Sequence, residues 1–334
     1  MAETAPVMDD AAAENGVTKV SELFSREEIR ELTRRSNWRG WLALLSIWSG
    51  IIGSFVALAV WPHPLTVILA LIVLGGRQLG CAILMHEGSH GTLFASKGLS
   101  RFVSDWFAGK LVWTDQERYR VHHGKHHRYT GTECDVDRSL VANLPTTRRG
   151  LYRKCLRDLL GFTGLKRILG LFLMDMGLLK WTVATDTHRL PKRAWGEHFR
   201  SLMQHAWGVW LMNALMALVL WLCGELWIYG VWVLAYLTTF SLFLRIRSLA
   251  EHACLEQSPD MLRNTRTTRA GWLARLTVAP LSVNYHLEHH LMPGVPYYRL
   301  KRMHALLRQR GYVPEPPGYL DVLRAVSAKA PRAA

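Results

Sequence analysis

The chain has 334 residues, 49% of them hydrophobic, with a formal net charge of +15 and 14 tryptophans. The apolar residues fall in blocks, and Lys and Arg lie between the blocks. That excludes an ordinary soluble enzyme and argues for a membrane protein with basic polar regions. Nucleic-acid binding is not expected, because the Lys and Arg residues flank apolar spans, the pattern found beside an anionic membrane surface. The five cysteines (Cys81, Cys134, Cys155, Cys223 and Cys254) are scattered without a CxxC pair, so neither a disulfide framework nor a zinc knuckle is expected.

In chain order, residues 1–17 are rich in Ala, Glu and Asp without periodicity and read as a disordered N-terminus. Ser25 and Glu28 have capping-box spacing, which predicts a short helix from Arg26 to about Arg35. Apolar spans are predicted over 41–61, 65–85, 206–223 and 226–244. About 20 residues at about 1.5 Å each match a hydrocarbon core of about 30 Å. Residues 1–40 are polar, so no cleavable signal peptide is expected, and the first span acts as its own insertion signal. Arg77 is a charge inside the second span, and a packed or snorkelling residue is favoured over a contact to a substrate headgroup. Residues 165–181 are apolar but broken by Lys166, Arg167, Asp175 and Lys180, the pattern of an interfacial helix.

The turns at 62–64 and 224–225 carry no Lys or Arg. The reading is therefore an all-α, multi-pass integral membrane protein with four transmembrane helices as two tight hairpins. The positive-inside rule puts both termini and the polar regions in the cytosol, here of a bacterial inner membrane. Residues 18–312 form one membrane domain, and 313–334 form a C-terminal tail.

Three histidine clusters stand at the ends of these spans or in the polar parts beyond them: His86-Glu-Gly-Ser-His90, His122-His123-Gly-Lys-His126-His127 and His286-Leu-Glu-His289-His290. Residues three and four apart share a helix face, so each cluster presents its imidazoles together. That is too many for one metal ion but suits two. His63, His188, His198, His205 and His304 are isolated and read as ordinary hydrogen-bonded or surface residues. The first cluster also fits HExxH, with Glu87 as the general base of a zinc protease. That reading leaves the other clusters unexplained, and Gly88 is a poor helix former. Glu87 and His90 form the one Glu-x-x-His match, so a carboxylate-rich di-iron site of the soluble type is not expected. Imidazole alone does not choose between Fe, Zn, Cu and Ni.

These residues resemble the three histidine boxes, HxxxH, HxxHH and HxxHH, of the membrane fatty acid desaturase and hydroxylase superfamily. The local contexts are similar to acyl-lipid desaturases: His86-Glu-Gly-Ser-His90-Gly-Thr-Leu-Phe, Tyr119-Arg-Val-His-His-Gly-Lys-His-His-Arg-Tyr, and Asn284-Tyr-His-Leu-Glu-His-His-Leu-Met-Pro-Gly. The resemblance spans roughly residues 40–312. It implies a four-helix membrane stalk under a cytosolic helical cap, with two non-haem irons and O2 at their junction. The implied iron ligands are His86, His90, His123, His126, His127, His286, His289 and His290, joined by His252 after the last crossing. His122 is an extra histidine beside them. Asp105, Asp135, Asp137, Glu251 and Glu288 are candidates for holding ligand imidazoles by their second nitrogen.

The implied activity is O2-dependent desaturation of a fatty acyl lipid with two electrons from outside. No iron–sulfur, dinucleotide or fused haem motif is present in the chain, so a separate ferredoxin or cytochrome b5-like donor is expected, with the basic face suiting an acidic one. The alternative within the fold is a hydroxylase or monooxygenase acting on fatty acyl, sphingolipid, carotenoid or alkane chains. HxxxH in the first box, where acyl-CoA enzymes commonly have HxxxxH, leans toward a substrate not linked to CoA. From other classes, a zinc membrane protease and a non-catalytic metal transporter or sensor stay in view.

Overall fold

The computed structural model describes residues 17–328, so the expected disorder over 1–17 lies almost wholly outside the described residues. Among these residues the fold is all α, with isolated bridges and no strand. Helix α1 (Arg26–Leu32) begins as predicted: the Ser25 hydroxyl accepts the Glu28 amide, and the Glu28 carboxylate accepts the Ser25 amide at 2.9 Å.

Four helices are long and apolar enough to cross a membrane. They are α2 (Asn37–Val60), α3 (Pro64–His90), α8 (Trp195–Leu222) and a fourth, Trp227–His252. The elements between the second and third are α4 (Lys97–Trp106), α5 (Gln116–Tyr129), α6 (Arg148–Leu159) and α7 (Phe162–Asp175). The fourth breaks at Thr238 into α9 (Trp227–Leu237) and α10 (Thr239–His252), where φ is −109° and ψ −86°. Thr238 turns its hydroxyl back onto the Leu234 carbonyl at 2.6 Å, a local bond that competes with the helix ladder.

The helices run beyond the predicted apolar spans. α3 runs on through His90, the fourth helix runs through His252, and α8 starts at Trp195 instead of 206. Hydropathy marks the apolar part of a helix, whereas the hydrogen-bonded ladder continues into polar sequence. The 28 residues of α8 span roughly 42 Å, well beyond a hydrocarbon core of about 30 Å. Exposed Trp38 and Trp41 start α2, and Trp61 follows it, as in an interfacial aromatic belt.

α3 is the central helix, and small residues let its neighbours close on it. A Cβ on Gly76 would lie 2.1 Å from the carbonyl oxygen of Leu276, and one on Gly88 would meet Ser104 and Gln116. Gly88, a poor helix former in isolation, is thus what admits α4 and α5 beside the first histidine box. Arg77 is the packed residue favoured from sequence: its guanidinium donates to the Leu276 carbonyl at 2.7 Å, at the C-terminus of α11 (Trp272–Leu276).

The predicted interfacial helix is α7, and it ends at Asp175 instead of 181. Asp175 is buried, pairs with Arg118, and accepts the Trp113 indole N–H at 3.0 Å. Arg167 lies over the Tyr236 and Phe240 rings and donates to the Tyr236 carbonyl at 2.7 Å, so a charge that broke the apolar run docks α7 on α9 and α10. Buried Asp158 of α6 likewise pairs with Arg245 of α10.

After α12 (His286–Leu291) and α13 (Tyr297–Gln309), residues 313–328 are not a tail apart from the fold. α14 (Tyr319–Val326) buries Val322 and Val326 against Leu249 and Ala253 of the α10 region. An apolar stripe that short is lost among polar neighbours in the sequence and is recognised by what it packs on.

Gly76→Ala is expected to lower stability by about 1–3 kcal/mol, because the obstructing atom is backbone and has nowhere to go. The measurement is the thermal unfolding midpoint of the purified protein in detergent. An unchanged midpoint would mean that α3 and α11 do not approach this closely.

Candidate metal centre

Four helices deliver the clustered histidines. α3 ends on His86 and His90, α5 carries His123, His126 and His127, α10 ends on His252, and α12 carries His286, His289 and His290. The structure sorts them into two groups. His86, His90, His123, His127 and His289 form one, and His126, His252, His286 and His290 form the other. Within each group one nitrogen per ring lies within 4.8 Å of all the others.

The sorting follows helix geometry. In each HxxHH box the i and i+4 residues share one group, and the i+3 residue joins the other. His123 and His127 are together while His126 crosses over; His286 and His290 are together while His289 crosses over. On a helix, i+4 lies about 40° from i on one side and i+3 about 60° on the other, so one box can face two sites at once.

The donor set fits metal ions. His123 and His127 approach Nε2 to Nε2 at 3.0 Å, His127 and His289 at 3.0 Å, and His252 and His286 at 2.9 Å. Ligands at right angles about an ion with ~2.1 Å bonds to imidazole stand ~3 Å apart. Buried nitrogens of His86, His90, His127, His286 and His290 have no hydrogen-bond partner among protein atoms. Leaving a buried polar atom unpaired costs about 1–3 kcal/mol, a cost that coordination would remove for His90 Nε2, His290 Nε2 and one nitrogen of His86. Burial, and then the neighbouring imidazoles, hold His123, His127, His286, His289 and His290 well below the usual histidine range, so their lone pairs are available near neutral pH.

The surrounding partners differ between the groups. In the four-histidine group, Nδ1 of His126 bonds Asp135 at 2.8 Å, that of His252 meets the Asn264 carbonyl at 3.3 Å, and that of His290 meets the Thr130 hydroxyl at 3.3 Å. His286 Nδ1 stands 3.3 Å from Glu251, which Arg247 holds at 2.8 Å. These contacts turn Nε2 inward. Burial opposes a charge on His126, but the Asp135 bond together with the charges of Asp135, Asp137 and Glu251 outweighs it and raises its pKa. The five-histidine group has less of this support; there Tyr119 stacks on His123 at 4.9 Å.

Of the five acidic candidates, Asp135 and Glu251 contact clustered histidines directly. Asp137 lies 3.7 Å from His126 and bonds His122, which stays outside both groups. Glu288 instead bonds His304, and Asp105 pairs with Lys110. Thr130, Asn264 and Tyr119 carry no spacing that a sequence pattern would single out, except that Tyr119 stands one helical turn before His123. Among the isolated histidines, His63 caps α3, His198 bonds the Met176 carbonyl, and His205 bonds Asp115. Glu87 is poorly placed as a protease base: its Oε2 accepts the Thr92 hydroxyl at 2.7 Å and the Tyr297 amide at 3.2 Å.

The depressed histidines set a pH dependence for the metal-free protein. Native rings stay neutral while unfolded ones bind protons below about 6.5, so the unfolded state binds more protons as pH falls. These rings are therefore expected to make the chelator-treated protein less stable as pH drops through about 6.5, an effect that the raised His126 opposes. Thermal unfolding between about pH 8 and 5 measures it, and a midpoint that rises on acidification would overturn the neutral assignment.

The fatty acid desaturase family model matches residues 62–319. Dihydrorhizobitoxine desaturase of Bradyrhizobium elkanii is 25% identical over 313 residues, covering 90% of this chain and 82% of that protein. With this match spanning most of the chain, and with nine histidines gathered in two groups, the protein belongs to the fatty acid desaturase family.

Proposed function

We propose that the protein is an O2-dependent desaturase of fatty acyl lipids, with two irons held by nine histidines. The observation that carries this reading is the division of the boxes into two adjoining all-imidazole groups, with His252 completing the second. Family membership supports oxidoreductase chemistry in general. The related protein's name, a desaturase, favours double-bond formation over hydroxylation. Bound iron would supply the activation of O2 and the removal of hydrogen atoms from unactivated methylenes.

The chain's own residues have narrower tasks. His86, His90, His123, His127 and His289 would hold one ion, and His126, His252, His286 and His290 the other. Asp135, Glu251, the Asn264 carbonyl and Thr130 orient the second set. Close packing around the centre keeps bulk water out, which protects a reactive oxidant from side reactions. The two electrons come from a separate ferredoxin or cytochrome b5-like protein, and the basic face supports an acidic donor.

The membrane arrangement belongs to the same proposal. The four apolar helices cross as two hairpins, in a bacterial inner membrane, with the termini and the histidine-bearing cap in the cytosol. The Lys and Arg distribution supports this orientation.

Purified protein is expected to carry about two irons per chain. His126→Ala should lose iron from the four-histidine group and His289→Ala from the five-histidine group, each losing at least about half the metal and nearly all turnover. Lipid products from an expression host, analysed by mass spectrometry, should show loss of two hydrogens. Gain of one oxygen would convert the reading to hydroxylase, and one zinc with reductant-independent activity would overturn it.

A further inference from the structure

The short helix α11 packs against the middle of an apolar span. Gly76 of α3 meets the Leu276 carbonyl, and the neighbouring Arg77 donates to the carbonyls of Leu276 at 2.7 Å and Arg275 at 3.3 Å. From Pro64, where α3 starts, to Gly76 is about 18 Å at about 1.5 Å per residue. In a hydrocarbon core about 30 Å thick, the contact lies roughly 10 Å inside, measured from the histidine-bearing end of α3. A second ruler agrees: Gly50, which packs on the Arg77 side chain, stands near the midpoint of α2 between exposed Trp41 and Trp61.

At that depth α11 turns apolar side chains outward. Trp272 is 78% exposed and Leu273 54%, as on a surface completed by acyl chains. The last carbonyls of so short a helix would find no water in hydrocarbon, and Arg77 supplies the donors they need. Exposed Arg275, one turn after Trp272, has a side chain long enough to reach back to lipid phosphates. The other hairpin repeats the arrangement. Gly164 of α7 packs on Leu237, about 15 Å from the start of α9. Exposed Phe162, Leu165 and Leu169 form an i, i+3, i+7 stripe there, and Arg167 donates to the Tyr236 carbonyl beside the break at Thr238.

We infer that α11 is a half-inserted segment, which enters the bilayer beside α3 and lays Trp272 and Leu273 among the acyl chains of the leaflet nearest the histidines. Lipid, not a protein partner, covers this face. Arg77 is then the charge that closes the inserted helix end. Because α11 leads through the Pro280–Ser282 turn into α12, the third histidine box is tethered at membrane depth. The inference rests on the membrane crossing of α2 and α3 proposed above.

The test places a fluorophore at three positions. Trp272→Cys, Ile52→Cys on the exposed face of α2 and Arg324→Cys on α14 are made in full-length protein with Cys134, Cys155, Cys223 and Cys254 replaced by serine. Each is labelled with NBD and placed in nanodiscs of phosphatidylethanolamine and phosphatidylglycerol. Metal content and unfolding midpoint must match the parent, and Leu273→Cys replaces Trp272→Cys if they do not. Quenching by iodide in the water is compared with quenching by lipid carrying a nitroxide at mid-chain. The label at 272 is expected to follow that at 52, with lipid quenching at least about fivefold stronger than iodide quenching, and the label at 324 to show the reverse. If 272 follows 324 while 52 is quenched by lipid, the insertion of α11 falls and the membrane crossing stands. Protection of 272 from both quenchers would mean that protein covers this face, and would equally overturn the inference. Iodide quenching at 52 would bring down the crossing itself, and the insertion with it.

Discussion

The constraint on which the structure depends is that two short helices must each face two places. α5 and α12 split their HxxHH boxes between the groups, so a rotation that improves one group spoils the other. Neither helix can slide or turn alone. α3 and α10, which contribute to only one group each, bracket them from the two ends of the paired site. The scaffold is therefore organised to hold four helix ends in one register.

That register is secured by close contacts and by buried charge pairs. Gly88 brings α3 against Ser104 and Gln116, and Gln116 opens the helix that carries the second box. Asp175 ties α7 to Arg118 on that same helix, and Asp158 ties α6 to Arg245 on α10. Breaking such buried pairs leaves an uncompensated charge, which makes them effective at specifying one arrangement even where their net stabilisation is small.

The groups are also unequal in their surroundings. The four-histidine group is oriented by a carboxylate, a carbonyl and a hydroxyl and adjoins a polar recess. The five-histidine group leans on packing and adjoins carbon.

Much of this was legible in the chain itself. Blocks of apolar residues without charge predict helices that can cross a membrane, because uncompensated backbone and charge are too costly in hydrocarbon. Histidines at three- and four-residue spacing predict shared faces, because a helix has a fixed period. The helix ends were less legible: hydropathy stops where polarity begins, whereas α3 and α10 continue to His90 and His252. Tertiary structure alone decided which histidine joins which group, since that depends on where α5 and α12 lie relative to α3 and α10. It also decided that Asp135 and Glu251 face the centre while Glu288 turns to His304, and that α14 packs under α10. Those choices rest on contacts between residues far apart in sequence, which no local period encodes.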